Sequence, residues 1–212
     1  MKEQNLKNHV ELHGYFNNIL VAYLKEKGKR AIGWNEIISD NLDETAIPQV
    51  WTVKAVEKAR EWAKRGGTSI QTPSDYVYSD MAFSFLPLSK TYNYNPYFEG
   101  FPDECVMGIE SPLWTEYIPD EKMLDFQALV RLLAISEVAW TDVANKNYEN
   151  FETRVEVMRS YFKSIGINLA PKRIYCGNTF KNADAMIEAD RKNEGYGLWL
   201  RNPYYEFELL DG

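Results

Sequence analysis

Six side chains of this 212-residue chain stand where a binding chemistry could be assembled: Trp34 in "AIGWNEI", Trp51 in "PQVW", Tyr78 and Asp80 in "SDYVYSD", and Trp114 and Glu116 in "SPLWTEY". Each follows a short apolar run of the kind that forms a strand. Three indoles, a phenol and two carboxylates suit a sugar, whose apolar C–H face stacks on aromatic rings while its hydroxyls need charged acceptors. Taken singly, each residue also has a structural reading. A tryptophan at a strand end is commonly a core or rim aromatic, and a loop carboxylate is usually solvated. Their recurrence after successive strands favours binding.

The elements that must position these residues can be read from periodicity and punctuation. Residues 6–27 place Val10, Leu12, Tyr15, Phe16, Ile19, Leu20, Tyr23 and Leu24 at mixed three- and four-residue spacing, and "KGK" stops the pattern, which predicts an amphipathic helix. "RAIGW" and "AIPQVW" read as two strands, a helix over residues 53–64 ends at "RGG", and "TSIQTP" is a third strand. Residues 74–104 hold several prolines and many tyrosines and predict a long irregular segment, a length that in a compact domain usually means function. "CVMGIES" is a fourth strand. Helices are expected over residues 123–140 and 148–165, with Trp140 in the core, and a polar surface helix over residues 182–193. Strands alternating with helices imply parallel βα units covered on both faces, with ligands gathering at the C-terminal strand ends.

Composition narrows the classes. The chain is 45% hydrophobic and 26% charged, and 14% aromatic with 6 Trp and 14 Tyr, a globular composition rich in aromatics. A net charge of -7 argues against nucleic acid as a partner, since phosphates are met by Lys and Arg excess. No run approaches the roughly 18 apolar residues of a membrane helix, so no membrane partner is expected. The N-terminus "MKEQNLKNHVELHG" lacks the apolar segment of a signal peptide, and nothing in the sequence names a compartment. Cys105 and Cys176 are read as buried free thiols. His9 and His13, four apart on the first helix, have no third ligand nearby and read as a solvated face, so no metal or cofactor is implied.

The ordered set "GWNEI", "PQVW", "SDYVYSD" with "PLSKTYNYNP", "GIESPLWTEY" and "RLLAISEVAW" resembles the catalytic domain of family 20 glycoside hydrolases, the β-N-acetylhexosaminidases, over roughly residues 10–170. The resemblance implies an α/β fold: the C-terminal half, about four βα units, of a (β/α)8 TIM barrel. Residues 1–170 would be the partial barrel, with strands resembling the fifth to eighth of the family, and residues 171–212 a C-terminal extension packed on it. It further implies retaining hydrolysis in which the substrate's 2-acetamido oxygen attacks the anomeric carbon to give an oxazolinium intermediate. Trp34, Trp51 and Trp114 would wall the acetamide pocket and the floor under the sugar. Tyr78 would donate to the acetamide oxygen, and Asp80 and Glu116 would accept from sugar hydroxyls. The expected partners are N-acetylhexosamine-terminated glycans.

One departure stands against these matches. The family's neighbouring Asp-Glu pair, in an H-x-G-G-D-E type motif that supplies the acetamide-orienting carboxylate and the acid/base, does not occur in this sequence. Asp103-Glu104 precedes the fourth strand, and Asp120-Glu121 reads as a helix N-terminal pair. Glu36 reads as a structural carboxylate, and "WNE" replaces the family's more usual "WDE", leaving the role of Asn35 open. By the resemblance the missing pair lies upstream of Met1. The expectations that follow are a chain inactive by itself, belonging to a longer protein, pairing with a separate N-terminal half, or closing as a homodimer. A carbohydrate-binding or self-associating module without catalysis is the alternative.

Overall fold

The computed structural model describes residues 4–97 and 101–176, which divide into two compact units. One is built from residues up to Asp75 together with Pro96–Glu110, the other from Tyr76–Asn95 and residues from Ser111 on.

The first unit holds a four-stranded parallel sheet in chain order: β1 (Ile32–Trp34), β2 (Ile47–Val50), β3 (Ser69–Gln71) and β4 (Val106–Ile109). Ile32 pairs with Ile47 and Trp34 with Gln49, Gln49 in turn with Ile70, and Gln71 with Ile109. A register shift at Ser69/Ile70 leaves Met107 as an extra residue in β4. The central strand β2 is buried throughout. The edge strands are not covered on both faces as expected: Ile32, Trp34 and Met107 are exposed, because edges of an open sheet have a neighbour on one side only.

Helix α2 (Val56–Lys64) buries Ala59, Trp62 and Ala63 on one stripe, against Val50, Leu42 and Cys105. Trp62 is fully buried, its indole N–H donating to Thr68 O at 3.1 Å, with the Arg65 guanidinium 5.0 Å over its ring. Gly67 closes this arrangement, for a Cβ there would collide with the indole of Trp62.

Helix α1 (His9–Glu26) forms as its periodicity predicts, capped by Asn8 Oδ1 on the Glu11 N–H at 2.9 Å. Its buried side is not the apolar one. Gly14, Asn18 and Val21 face the loop that follows β1, where Asn18 Nδ2 donates to Asn41 O at 2.6 Å and Asn41 Nδ2 donates to Glu11 O at 3.0 Å. Gly14 lies so close to Ser39 and Asn41 that no side chain fits. Leu12, Phe16, Ile19, Leu20 and Tyr23 are left exposed, as are His9 and His13.

In the second unit, helices α5 (Glu121–Trp140) and α6 (Tyr148–Ser164) carry the core. Met123, Phe126, Val130 and Ala134 of α5 meet Phe151 and Val155 of α6, together with Phe83, Leu88, Tyr92 and Tyr175. The expected irregular segment contains two short helices, α3 (Ser74–Val77) and α4 (Leu88–Tyr92), and Tyr92 stacks on Phe151 with centroids 4.7 Å apart. A last turn, α7 (Lys172–Tyr175), ends the described residues; Tyr175 donates its hydroxyl to Glu156 at 2.8 Å.

Trp140, expected in the core, is 90% exposed. It lies two residues beyond Val138, about 200° round the helix from the buried stripe, and the chain turns extended at Thr141. Cys105 is buried and Cys176 is only half-buried; both are free. The helix expected over residues 182–193 and most of the C-terminal extension lie outside the described residues. No helix among the described residues is long and apolar enough to cross a membrane.

Candidate functional site

The predicted residues divide between the units: Trp34 and Trp51 stand in the first, and Tyr78, Asp80, Trp114 and Glu116 in the second.

In the first unit, β1 ends at Trp34 and the chain tightens into a 3-10 turn, Asn35–Ile37. That turn brings the buried Asn35 amide under the end of β2, where its Oδ1 accepts the backbone N–H of Trp51 at 3.0 Å and of Thr52 at 3.3 Å. The next residue orients the indole: Trp51 Nε1 donates to Glu36 Oε1 at 2.9 Å. Asn35 and Glu36 therefore fix the backbone and the ring of Trp51 from one short turn, which gives the "WNE" sequence a physical role. Trp34 itself keeps about a third of its surface exposed, at 36%.

In the second unit, Tyr78 is buried at the end of a turn whose flanks are tied to the segment leading to Trp114. Ser79 N–H donates to Pro112 O at 2.7 Å, and Ser111 Oγ donates to Val77 O at 2.7 Å. Ser111 has one hydroxyl proton and spends it on Val77, so the 2.7 Å contact between Ser79 Oγ and Ser111 Oγ has Ser79 as donor. Both neighbours of Tyr78 are thus anchored, and the phenol has little freedom to swing.

Asp80 follows, half-buried. Burial pushes its carboxyl up to about 6, against the lowering effects of its own backbone N–H, the Arg131 guanidinium and the Trp114 backbone N–H; the charge of Glu116 adds to the rise. Trp114 exposes 45% of its surface, and Glu116 opens to solvent in the 3-10 turn Thr115–Tyr117. An acceptor carboxyl held by the N–H of an exposed tryptophan is a combination that can take a hydroxyl and the face of the ring bearing it.

Arg131 was not visible as a site residue in the sequence. It sits in α5 on the stripe Phe126, Gln127, Val130, Ala134, a charged residue where the pattern asks for an apolar one, and that conflict was the available signal. The other acidic pairs take structural places. Asp43, followed by Glu44, accepts the Thr45 N–H and hydroxyl through Oδ1 at 2.8 and 2.6 Å, Asp103 and Glu104 form the turn before β4, and Asp120 caps α5 through Oδ1 on the Met123 N–H at 2.9 Å.

Residues 1–143 match the model of glycosyl hydrolase family 20, catalytic domain. The chain belongs to glycosyl hydrolase family 20. It is 30% identical over 171 residues to a beta-hexosaminidase of Porphyromonas gingivalis, covering 74% of this chain and 22% of that protein. Against a beta-N-acetylhexosaminidase of Cellulomonas fimi it is 28% identical over 165 residues, covering 69% of this chain and 33% of the relative. The crystal structure of an exo beta-N-acetylglucosaminidase from Vibrio harveyi in complex with N-acetylglucosamine superposes with a TM-score of 0.72 at 25% identity, covering 81% of this chain and 29% of that one. The family 20 chain therefore spans about a fifth to a third of the length of these curated relatives. Its fold, a parallel α/β arrangement, is part of a (β/α)8 barrel of the family 20 type.

Proposed function

We propose that this family 20 chain supplies the sugar-binding residues of a retaining β-N-acetylhexosaminidase acting on terminal GlcNAc or GalNAc. Trp34, Trp51 and Trp114 offer ring faces and edges to the acetamide and the pyranose. Tyr78 donates its hydroxyl to the acetamide oxygen as that group is drawn to the anomeric carbon to form the oxazolinium. Asp80 and Glu116 accept from the sugar hydroxyls. The reading is carried by Asp80 and Trp114 together: a half-buried carboxyl, raised to about 6 by burial, that takes a hydrogen bond from the backbone N–H of a tryptophan whose ring stays exposed.

The isolated 212-residue chain is expected to bind and not to hydrolyse. The adjacent Asp-Glu pairs of the described residues stand in loop, turn and cap positions, Asp43 accepting the Thr45 N–H at 2.8 Å and Asp120 capping α5, and we read none of them as the couple that orients the acetamide and protonates the leaving oxygen. The test is a pair of measurements on the pure chain: retention on immobilised GlcNAc, and chromophore release from a 2-acetamido-2-deoxy-β-glucoside. Retention that disappears in Trp51→Ala supports the binding role. Release of chromophore that is lost in Tyr78→Phe or Trp114→Ala overturns the view that this chain lacks its own chemistry.

A second reading is favoured by α1, whose Phe16, Ile19 and Tyr23 are each more than half exposed, in a unit whose sheet ends at β1. Such a face invites association, either with an N-terminal barrel half or with a second copy of this chain. Sedimentation of the pure chain as a clean monomer at all concentrations would remove self-association.

A further inference from the structure

We propose that Arg131 is a positioning residue for Asp80: from the core side of α5 it grips both ends of the 79–86 loop, and so fixes where the Asp80 carboxyl sits and brings a buried cation to bear on it. The guanidinium is fully buried. Its Nη1 donates to Ser79 O at 3.0 Å, at the start of the loop, and its Nη2 donates to Leu86 O at 3.0 Å, at the end. Between them the ring of Phe83 lies 3.7 Å from the guanidinium carbon, so the loop is wrapped round one side chain. Gln127, one turn earlier on α5, accepts a bond from Nη1 at 2.6 Å and sets the direction of the fork.

A planar fork can meet two carbonyls seven residues apart; an ammonium on a flexible stem has no such fixed pair of directions. A purely structural filler on this stripe would be apolar, because burying a cation costs desolvation that leucine avoids. What the arginine adds is a charge acting on Asp80, opposed by the Glu116 carboxylate, with the backbone N–H of Trp114 hydrogen-bonded to the same carboxyl. Residue, loop and carboxyl form one unit, in which Arg131 touches no substrate.

The experiment follows the Asp80 carboxyl carbon by NMR titration, and amide hydrogen exchange over residues 79–86, in the unmodified chain, Arg131→Lys and Arg131→Met. Faster exchange in both variants is expected, since neither keeps the fork. The Asp80 midpoint should stay near its starting value in Arg131→Lys and rise by about one pH unit in Arg131→Met, where the charge is gone. A loop anchor without electrostatic reach would leave that midpoint unchanged in Arg131→Met, and that result overturns the proposal. Should either variant fail to fold, the unmodified chain still decides: the NMR chemical shifts of the Arg131 guanidinium nitrogens, which stay protonated, should follow the ionisation of Asp80 with its midpoint, and their failure to move between about pH 5 and 7 overturns it. Retention on immobilised GlcNAc at neutral pH should drop several-fold in Arg131→Met and be partly restored in Arg131→Lys, a readout that rests on the proposed sugar-binding role of Asp80. If the unmodified chain retains no sugar at any pH, that role fails while the titration still judges Arg131.

Discussion

The side-chain oxygen of Asn35 accepts the backbone N–H of Trp51 at 3.0 Å across sixteen residues of sequence, and a second N–H, that of Thr52, at 3.3 Å. One buried amide thus ends two neighbouring strands. Replacing it by alanine orphans two donors, and Asn35→Ala should cost about 1–3 kcal/mol in urea unfolding. Asn35→Asp keeps the acceptor and makes both bonds charge-assisted, so it should retain the fold and most of that stability. Equal losses in the two variants would show that the acceptor is not what matters at this position.

Asp80 gives a prediction with a definite sign. Its carboxyl is raised in the folded chain, from 3.8 to about 6, so the native state holds a proton that the unfolded state has already lost. The stability Asp80 contributes is therefore present at low pH and is lost as pH rises through about 6. Asp80→Asn should stabilise the chain at pH 7, by about 1 kcal/mol after allowing for its partial exposure, and should flatten the pH dependence between 4 and 6. The same substitution should weaken GlcNAc retention. A chain that becomes less stable at pH 7 on this substitution would contradict the burial argument.

The tryptophans should separate by role. Trp62 is fully buried and hydrogen-bonded, so Trp62→Ala should cost about 3–5 kcal/mol, and Gly67→Ala should be comparably damaging because its new methyl meets the same indole. Trp114 exposes nearly half its surface, and Trp114→Ala should change stability by less than about 1 kcal/mol while abolishing sugar retention. Thermal unfolding alongside retention checks both halves of this contrast.

The exposed residues of α1 make a further test. Because Phe16, Ile19 and Tyr23 bury little in the chain itself, changing all three to serine should leave the unfolding midpoint nearly unaltered. If the chain self-associates through this face, the same variant should sediment as a monomer where the unmodified chain does not.

Much of this arrangement was legible from short apolar runs and their punctuation. β1 to β4 fall where "RAIGW", "AIPQVW", "TSIQTP" and "CVMGIES" predict them, and α5 and α6 match their periodic patterns to within two residues. What escaped were partners distant in sequence. Arg131 reaches Ser79 and Leu86 across fifty-two and forty-five residues, and no local pattern encodes such a bond. Periodicity also misjudged which side of a helix is covered. α1 turns Gly14 and Asn18 inward because close approach and hydrogen bonds, not apolar area, fasten it to the loop after β1, and Trp140 projects from the side of α5 opposite its buried stripe.

That fastening of α1 determines how the helix lets go. Beyond Val21 it seals little apolar area, so lifting it away exposes hardly any new hydrocarbon to water, and its release should be weakly sensitive to urea and carry a small heat-capacity change. The helix then behaves as a latch of hydrogen bonds on an otherwise apolar unit, opening by local exchange well before the stripe around Trp62 gives way.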